Sequence, residues 1–399
     1  MSLYITKRYK DNLNNKLLDC SKKTNNDFII KLKLIAFLIR NFINRTRYKS
    51  VKDDKIHVLF YLDGGLGDLI ITLNYICSMR LKLDSNILID IAVSDKFYEE
   101  VNLLIEKSEL SLVNIKRRSK KLINYDFVAD LIRIPVIKYA NLDKIAKLSQ
   151  QFYQYTKMLI DLKKENPTML NCGQTEEVIC RQYTSVQNRS RINQADINNF
   201  WGTSSVYKIN LTNKEAVLEK FGLKLNKFIT VQRGIGLVDR RNENSKVEIS
   251  TRIWSEKKYV ETINLLKERY PDFTIVQLGS SYNSPIPDID CNLCGKTSFE
   301  ELLVLLVSSY LHFDCECGMV HLRHFICAKP SIVIFGPTKK EFYGYDENIN
   351  IGSDICSGCD WLHSEWRTQC LRDKSALYPV CLESLSPNDI LKELDLRSL

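Results

Sequence analysis

The chain has 399 residues, 44% of them hydrophobic and 10% aromatic, which is too long for one ordinary core and suits two well-packed globular domains. No apolar run is long enough to cross a bilayer without a charge, so no membrane-spanning segment is expected. The net charge of +9 belongs to residues 1–56, which hold fourteen Lys/Arg against five Asp, and the neutral remainder has no basic motif with interleaved aromatics, which argues against nucleic acid as a partner. In the extension, residues 1–21 are polar, with Lys7, Arg8, Lys10 and Lys16 and no apolar core. They do not read as a secretory signal, and a cytoplasmic location is the expectation. Residues 28–44 are strongly apolar, and Lys33, Arg40, Asn41 and Asn44 fall on one side of a helical wheel, with Lys31 the exception. Two uses fit this amphipathic helix: contact with an anionic inner membrane, or packing on the body or at a subunit interface.

Residues 57–62 read as a buried strand, Gly64-Gly65-Leu66-Gly67-Asp68 as a tight turn, and residues 68–79 as a helix with apolar positions at helical spacing. Neither a G-x-G-x-x-G nor a G-x-x-x-x-G-K-[ST] pattern is present, so the turn is neither a dinucleotide fingerprint nor a P-loop. Taken alone, Asp68 need only complement the helix N-terminus. Residues 87–93, 111–115 and 126–134 read as further strands of a parallel α/β sheet, and 140–164 as a helical stretch stopped by Asn166-Pro167. The polar stretch 171–201 fits one side of a cleft, and 210–225 a linker with a short helix. A second α/β pattern then starts at the strand 228–232, followed by the turn Arg233-Gly234-Ile235-Gly236 and a charged, Asn-rich loop at 239–250. A helix at 254–270 and a strand at 273–278 follow. Gly295-Lys296-Thr297-Ser298 precedes a helix at 299–308, with Thr-Ser at least capping it. Strands at 310–315 and 331–335 and a helix at 387–399 complete the pattern.

Between those last strands lies Glu316-Cys317-Gly318-Met319-Val320-His321, a polar turn opening a helix, and the final strand leads into Gly336-Pro337-Thr338. Such a turn offers backbone N–H groups and a positive helix end to an anionic ligand. With the Gly64–Asp68 turn, these segments resemble family 9 glycosyltransferases, best known from the ADP-heptose:lipopolysaccharide heptosyltransferases. That family shows a (L/G)-G-x-x-G-D turn after an N-terminal strand, then a D-[ST]-G-x-x-H turn and an x-P-x-[VI]-x-[LI]-[FY]-G-P-T strand. The resemblance spans roughly residues 57 to 390. It implies a GT-B type α/β fold, two Rossmann-like domains facing a cleft: residues 57–215 for the acceptor and 226–385 for the nucleotide sugar. The basic amphipathic extension (1–56) precedes them and a C-terminal helix (386–399) follows.

The implied reaction is inverting transfer of a sugar, most nearly heptose from ADP-heptose, to a saccharide acceptor of a bacterial surface glycan such as lipopolysaccharide, with no catalytic metal. A protein acceptor of the autotransporter type, or a nucleotide-sugar-binding scaffold that has lost turnover, are the alternatives; a homo-oligomer is compatible with any of them. By the same resemblance Asp68 is the base. Arg252, in Thr251-Arg252-Ile253-Trp254, stands where the family has a Lys two residues before a Trp, and it would steady the departing diphosphate. Gly65, Gly67 and Gly234 are the donor-side turn glycines. Gly318 and Met319 would cradle phosphate, Cys317 and His321 complete the turn, Glu316 would hold sugar or ribose hydroxyls, and Thr338 lies near the donor. Glu316 and Cys317 replace the family's Asp and Ser/Thr.

Thirteen cysteines in a cytoplasmic chain are expected to be reduced or metal-bound. Cys356-Ser357-Gly358-Cys359, followed by Cys370 and Cys381 at even gaps, could close a tetrahedral structural site for zinc or iron. Some protein-modifying family relatives bind iron through C-terminal cysteines. Reduced core thiols and local disulfides are the alternatives.

Overall fold

Near-continuous apolar runs mark strands buried on both faces, and they assemble here into two sheets. The computed structural model describes residues 48–108, 113–119, 121, 123–165, 189–203, 209–234, 250–360 and 366–397. The expectations for residues 1–47, for most of 171–201 and for the loop at 239–249 lie outside them. In chain order the first unit contains β1 (Ile56–Leu62), α1 (Leu66–Arg80), β2 (Ile87–Val93), α2 (Tyr98–Glu106), β3 (Val113–Arg117), β4 (Phe127–Leu131), β5 (Pro135–Ala140), α3 (Leu142–Leu148) and α4 (Gln150–Glu165). The second contains α5 (Lys214–Lys220), β6 (Phe228–Gln232), α6 (Glu256–Arg269), β7 (Thr274–Leu278), β8 (Cys291–Asn292), α7 (Phe299–Ser308), β9 (Leu311–Cys315) and α8 (Gly318–Cys327). It ends with β10 (Ser331–Phe335), α9 (Lys340–Tyr343), β11 (Ile349–Gly352), α10 (Val380–Glu383) and α11 (Pro387–Leu396).

The first sheet has the order β3-β2-β1-β4-β5 and the second β11-β10-β9-β6-β7-β8. Every pairing is parallel except β4 with β5. The expected single strand over 126–134 is therefore shorter and turns back as a hairpin. Pro135 has no N–H to give a ladder, so it can only open an edge strand, and it does. The expected helix over 140–164 is broken at Ser149, whose backbone is extended (φ −154°, ψ 108°). The Ser149 hydroxyl accepts from the Phe152 amide at 3.3 Å and starts the second helix.

The chain joins the body before β1. Lys49 N–H donates to Ile123 O at 2.8 Å, and Tyr48 is buried against Leu59, Tyr61 and Tyr125. The two sheets are not separate in packing: one apolar cluster runs from Val58, Phe60 and Ile70 to Phe228, Leu303, Leu322 and Phe325. No helix among the described residues is long and apolar enough to cross a membrane.

Candidate functional site

In open parallel sheets ligands bind beyond the carboxyl ends of the strands, where successive connections leave in opposite directions. In the first sheet this place lies between β1 and β4, in the second between β6 and β9. The turns leaving β1 and β9 are the two singled out from sequence, and they meet. A Cβ added to Gly67 would lie 2.7 Å from His321 Cδ2 and 3.2 Å from Gly318 Cα. Two helix N-termini, of α1 and α8, thus converge on one spot, and only glycine permits the approach. The glycine whose backbone demands it is a neighbour, Gly64, at φ +117°.

Asp68 sits in the first turn of α1, where the Gly65 amide donates to its Oδ2 at 3.2 Å. Its other oxygen accepts from Arg191 at 2.9 Å and from Arg133. Neither arginine was evident from sequence. Arg133 lies in the β4–β5 turn across the crevice from β1, and Arg191 in the polar stretch 171–201. Arg191 is 1% exposed whereas Asp68 keeps a quarter of its side chain in contact with solvent. Arg191 also crosses between units, its amide donating to Phe342 O at 2.8 Å. Burial would raise the Asp68 pKa, but the two guanidiniums outweigh it and hold the carboxyl far below the usual carboxylate range.

Glu316 and Arg252 face this pair from the second unit. Arg252 Nη1 lies 3.3 Å from Glu316 Oε2. The other Glu316 oxygen is 3.1 Å from His321 Nε2, and His321 Nδ1 is 2.6 Å from the Tyr345 hydroxyl. Burial pushes the Glu316 pKa up, yet the His321 hydrogen bond and Arg252 leave it lowered. Arg252 is placed from both sides. Two residues on, the buried Trp254 indole donates to Leu382 O at 2.9 Å. One residue back, the Thr251 amide and hydroxyl donate to Arg367 O and Trp366 O at 2.9 and 2.6 Å.

The remaining candidates divide. Cys317 caps α8, but its thiol donates to the buried Asp314 at 2.6 Å and its sulfur takes the Met319 amide at 3.3 Å. The Met319 N–H is thus turned inward. Thr338 is 3% exposed, and its Oγ1 has no hydrogen-bond partner among the described residues. Gly234 follows β6 with φ +134° at the edge of the described residues. Cys356, Cys359, Cys370 and Cys381 line one cavity of about 240 Å³, together with Thr251 and Pro337. As placed, no three described His, Cys, Asp or Glu side chains form a metal-holding group.

No protein-family model matches the chain and no curated protein sequence matches it. Solved structures do. The iron-containing dodecameric glycosyltransferase TibC from enterotoxigenic E. coli H10407 has a TM-score of 0.54 at 12% identity, over 87% of this chain and 79% of that one. The dodecameric iron-containing heptosyltransferase TibC in complex with ADP-D-beta-D-heptose gives 0.54 at 13% identity, over 86% and 77%. A family 9 glycosyltransferase from Veillonella parvula DSM 2008 gives 0.49 at 12%, over 86% and 97%. The likeness is one of fold: this chain has the two-sheet, GT-B type architecture of the heptosyltransferases.

Proposed function

We propose that the chain is an inverting glycosyltransferase of the family 9 type, carrying a sugar from a nucleoside diphosphate to a saccharide acceptor. The observation that supports it is the meeting of Asp68, Glu316, Arg252 and two helix N-termini in the crevice between the sheets. In such a transfer the acceptor hydroxyl loses its proton to a base as its oxygen attacks the anomeric carbon, and the diphosphate leaves with the bonding electrons. Asp68 is the base in this reading. As found it is an anion held by two guanidiniums and a weak base, so an entering acceptor hydroxyl would have to displace Arg133 or Arg191 to make it effective. Arg252 and the helix ends would stabilise the departing diphosphate. Glu316 would take vicinal hydroxyls, and the Thr338 hydroxyl, buried as found, would reach the donor only if the turn over it opened. No step asks for a catalytic metal.

The donor proposed is ADP-heptose, the ligand named for TibC, and the acceptor a sugar of a bacterial surface glycan. A panel of nucleotide sugars tested for thermal stabilisation checks this. At a hundred times Kd the true donor should stabilise by about 2.7 kcal/mol. ADP-heptose should lead the panel, and transfer to a lipopolysaccharide core fragment should follow. A flat response across the panel would remove the reading. TibC's dodecameric state makes self-association part of the proposal. Because residues 48–56 pack on the body or open β1, the expected extension shortens to residues 1–47, proposed as the contact to another subunit or to anionic membrane.

The cysteine cavity is proposed to hold one structural zinc or iron. Four soft donors line it, and the Cys370 thiol, though raised by burial, is brought below its ordinary pKa by the amides of Asp373, Val380 and Arg372. Burial pushes Cys359 up to about 11 and Cys381 up to about 12, so a metal would have to displace those protons. The metal would supply constraint to a loop with little core of its own. Metal analysis of untagged protein should find about one ion per chain, with thiolate bonds at about 2.3 Å. Cys359→Ser should lose it and lower Tm. Because Thr251 lines the same cavity, that variant should also loosen Arg252 and weaken donor binding. Metal-free wild-type protein with four titratable thiols would leave the cluster as reduced core cysteine.

A further inference from the structure

Tyr345 lies between α9 and β11, outside every motif read from the sequence. Its ring is 2% exposed. It is stacked on the His324 imidazole at 3.6 Å and 11°, and it meets His321 edge-on at 5.6 Å. His324 is fixed in turn by Glu347. The hydroxyl therefore has a defined position, 2.6 Å from His321 Nδ1. On the far side of the same imidazole, Nε2 is 3.1 Å from Glu316 Oε1.

The proton inventory sets the direction of this chain. An ionised carboxylate only accepts, so His321 bonds Glu316 only in the tautomer that carries its N–H on Nε2. In a neutral imidazole Nδ1 is then an acceptor and needs a donor. The phenol can supply it, because burial keeps its proton on far above neutral pH. With Oε1 committed to His321, the Oε2 side of Glu316, next to Arg252, is what a ligand meets.

We infer that Tyr345 is a positioning residue: its O–H fixes the His321 tautomer, and His321 thereby aims Glu316 at the vicinal hydroxyls of a bound nucleotide sugar. The inference rests on the nucleotide-sugar reading of the cleft. It adds to the site a residue that touches no ligand and sets the geometry of one that does.

Tyr345→Phe tests it, because the ring and its stack on His324 stay while the hydroxyl goes. Nitrogen-15 spectra of the imidazole in the free protein report the tautomer, and calorimetric titration with ADP-heptose reports affinity. The variant should show His321 shifted away from the pure Nε2–H form and about a tenfold higher Kd, with a Tm near wild type. An unchanged His321 spectrum, or a changed spectrum with unchanged Kd, overturns the inference. His321→Gln gives a second route, since its amide can donate to Glu316 whatever stands at 345. Adding Tyr345→Phe to that background should move Kd by less than about twofold, and a fully additive loss would contradict the relay. Wild-type protein that binds no nucleotide sugar overturns the functional reading, and the relay's role with it. Wild-type binding beside an indifferent variant overturns the relay alone.

Discussion

Asp68→Asn is expected to lower turnover by about 10²- to 10⁴-fold while nucleotide-sugar affinity stays close to wild type. The amide can still accept from Arg133 and Arg191, but it cannot take a proton. The same change should weaken the fold, because Arg191 is buried and loses its counter-charge. Breaking a buried pair costs about 3–5 kcal/mol, and the low end applies here because Asp68 is partly solvated. The sign with pH follows from the depressed carboxyl. Its stabilisation is complete above the ordinary value near 4 and is lost as pH falls toward the lowered one. Wild type and variant should thus differ at neutrality and still differ at about pH 3, and approach each other only as pH falls on toward the lowered value. Turnover of Asp68→Asn within about threefold of wild type would end the base assignment.

Arg252→Ala should act on both binding and rate, raising the donor KM and lowering kcat by about 10²-fold. Two losses combine: the diphosphate loses a cation, and among the described residues Glu316 keeps only His321 against its burial. Arg252→Lys restores a charge but not a planar fork, so partial recovery is the expected outcome in steady-state kinetics. Full recovery would mean that a point charge suffices and that the arginine makes no bidentate contact.

What the sequence disclosed and what it hid have the same physical root. Strands such as Phe228–Gln232 and Ser331–Phe335, and the helix Phe299–Ser308, appear at the residues expected because uninterrupted apolar runs and caps act over short range. Asp68, Arg252, Glu316 and His321 could be named as candidates because each sits in or beside a turn whose glycine or tryptophan marks it. Arg133, Arg191 and Tyr345 carry no such mark. Each lies in irregular chain and is brought to the crevice by tertiary packing, which local pattern does not encode. The proline at 135 was a usable signal for the hairpin, and with it for Arg133 at the turn. The pairing of Met319 N–H with the Cys317 sulfur was beyond reach, since spacing shows that an amide is nearby and not which way it faces.

The apolar cluster common to both sheets has a consequence for how the protein moves. Lobes with private interiors can swing apart and expose only polar rims. Here such a swing would pull α8, which carries Leu322 and Phe325, away from α1, which carries Leu69 and Ile70, and open a hydrophobic seam to water. Heat should accordingly melt both halves together, as one cooperative event. On the proposed reading, access to the crevice then falls to the turns and side chains that line it and not to a swing of the lobes.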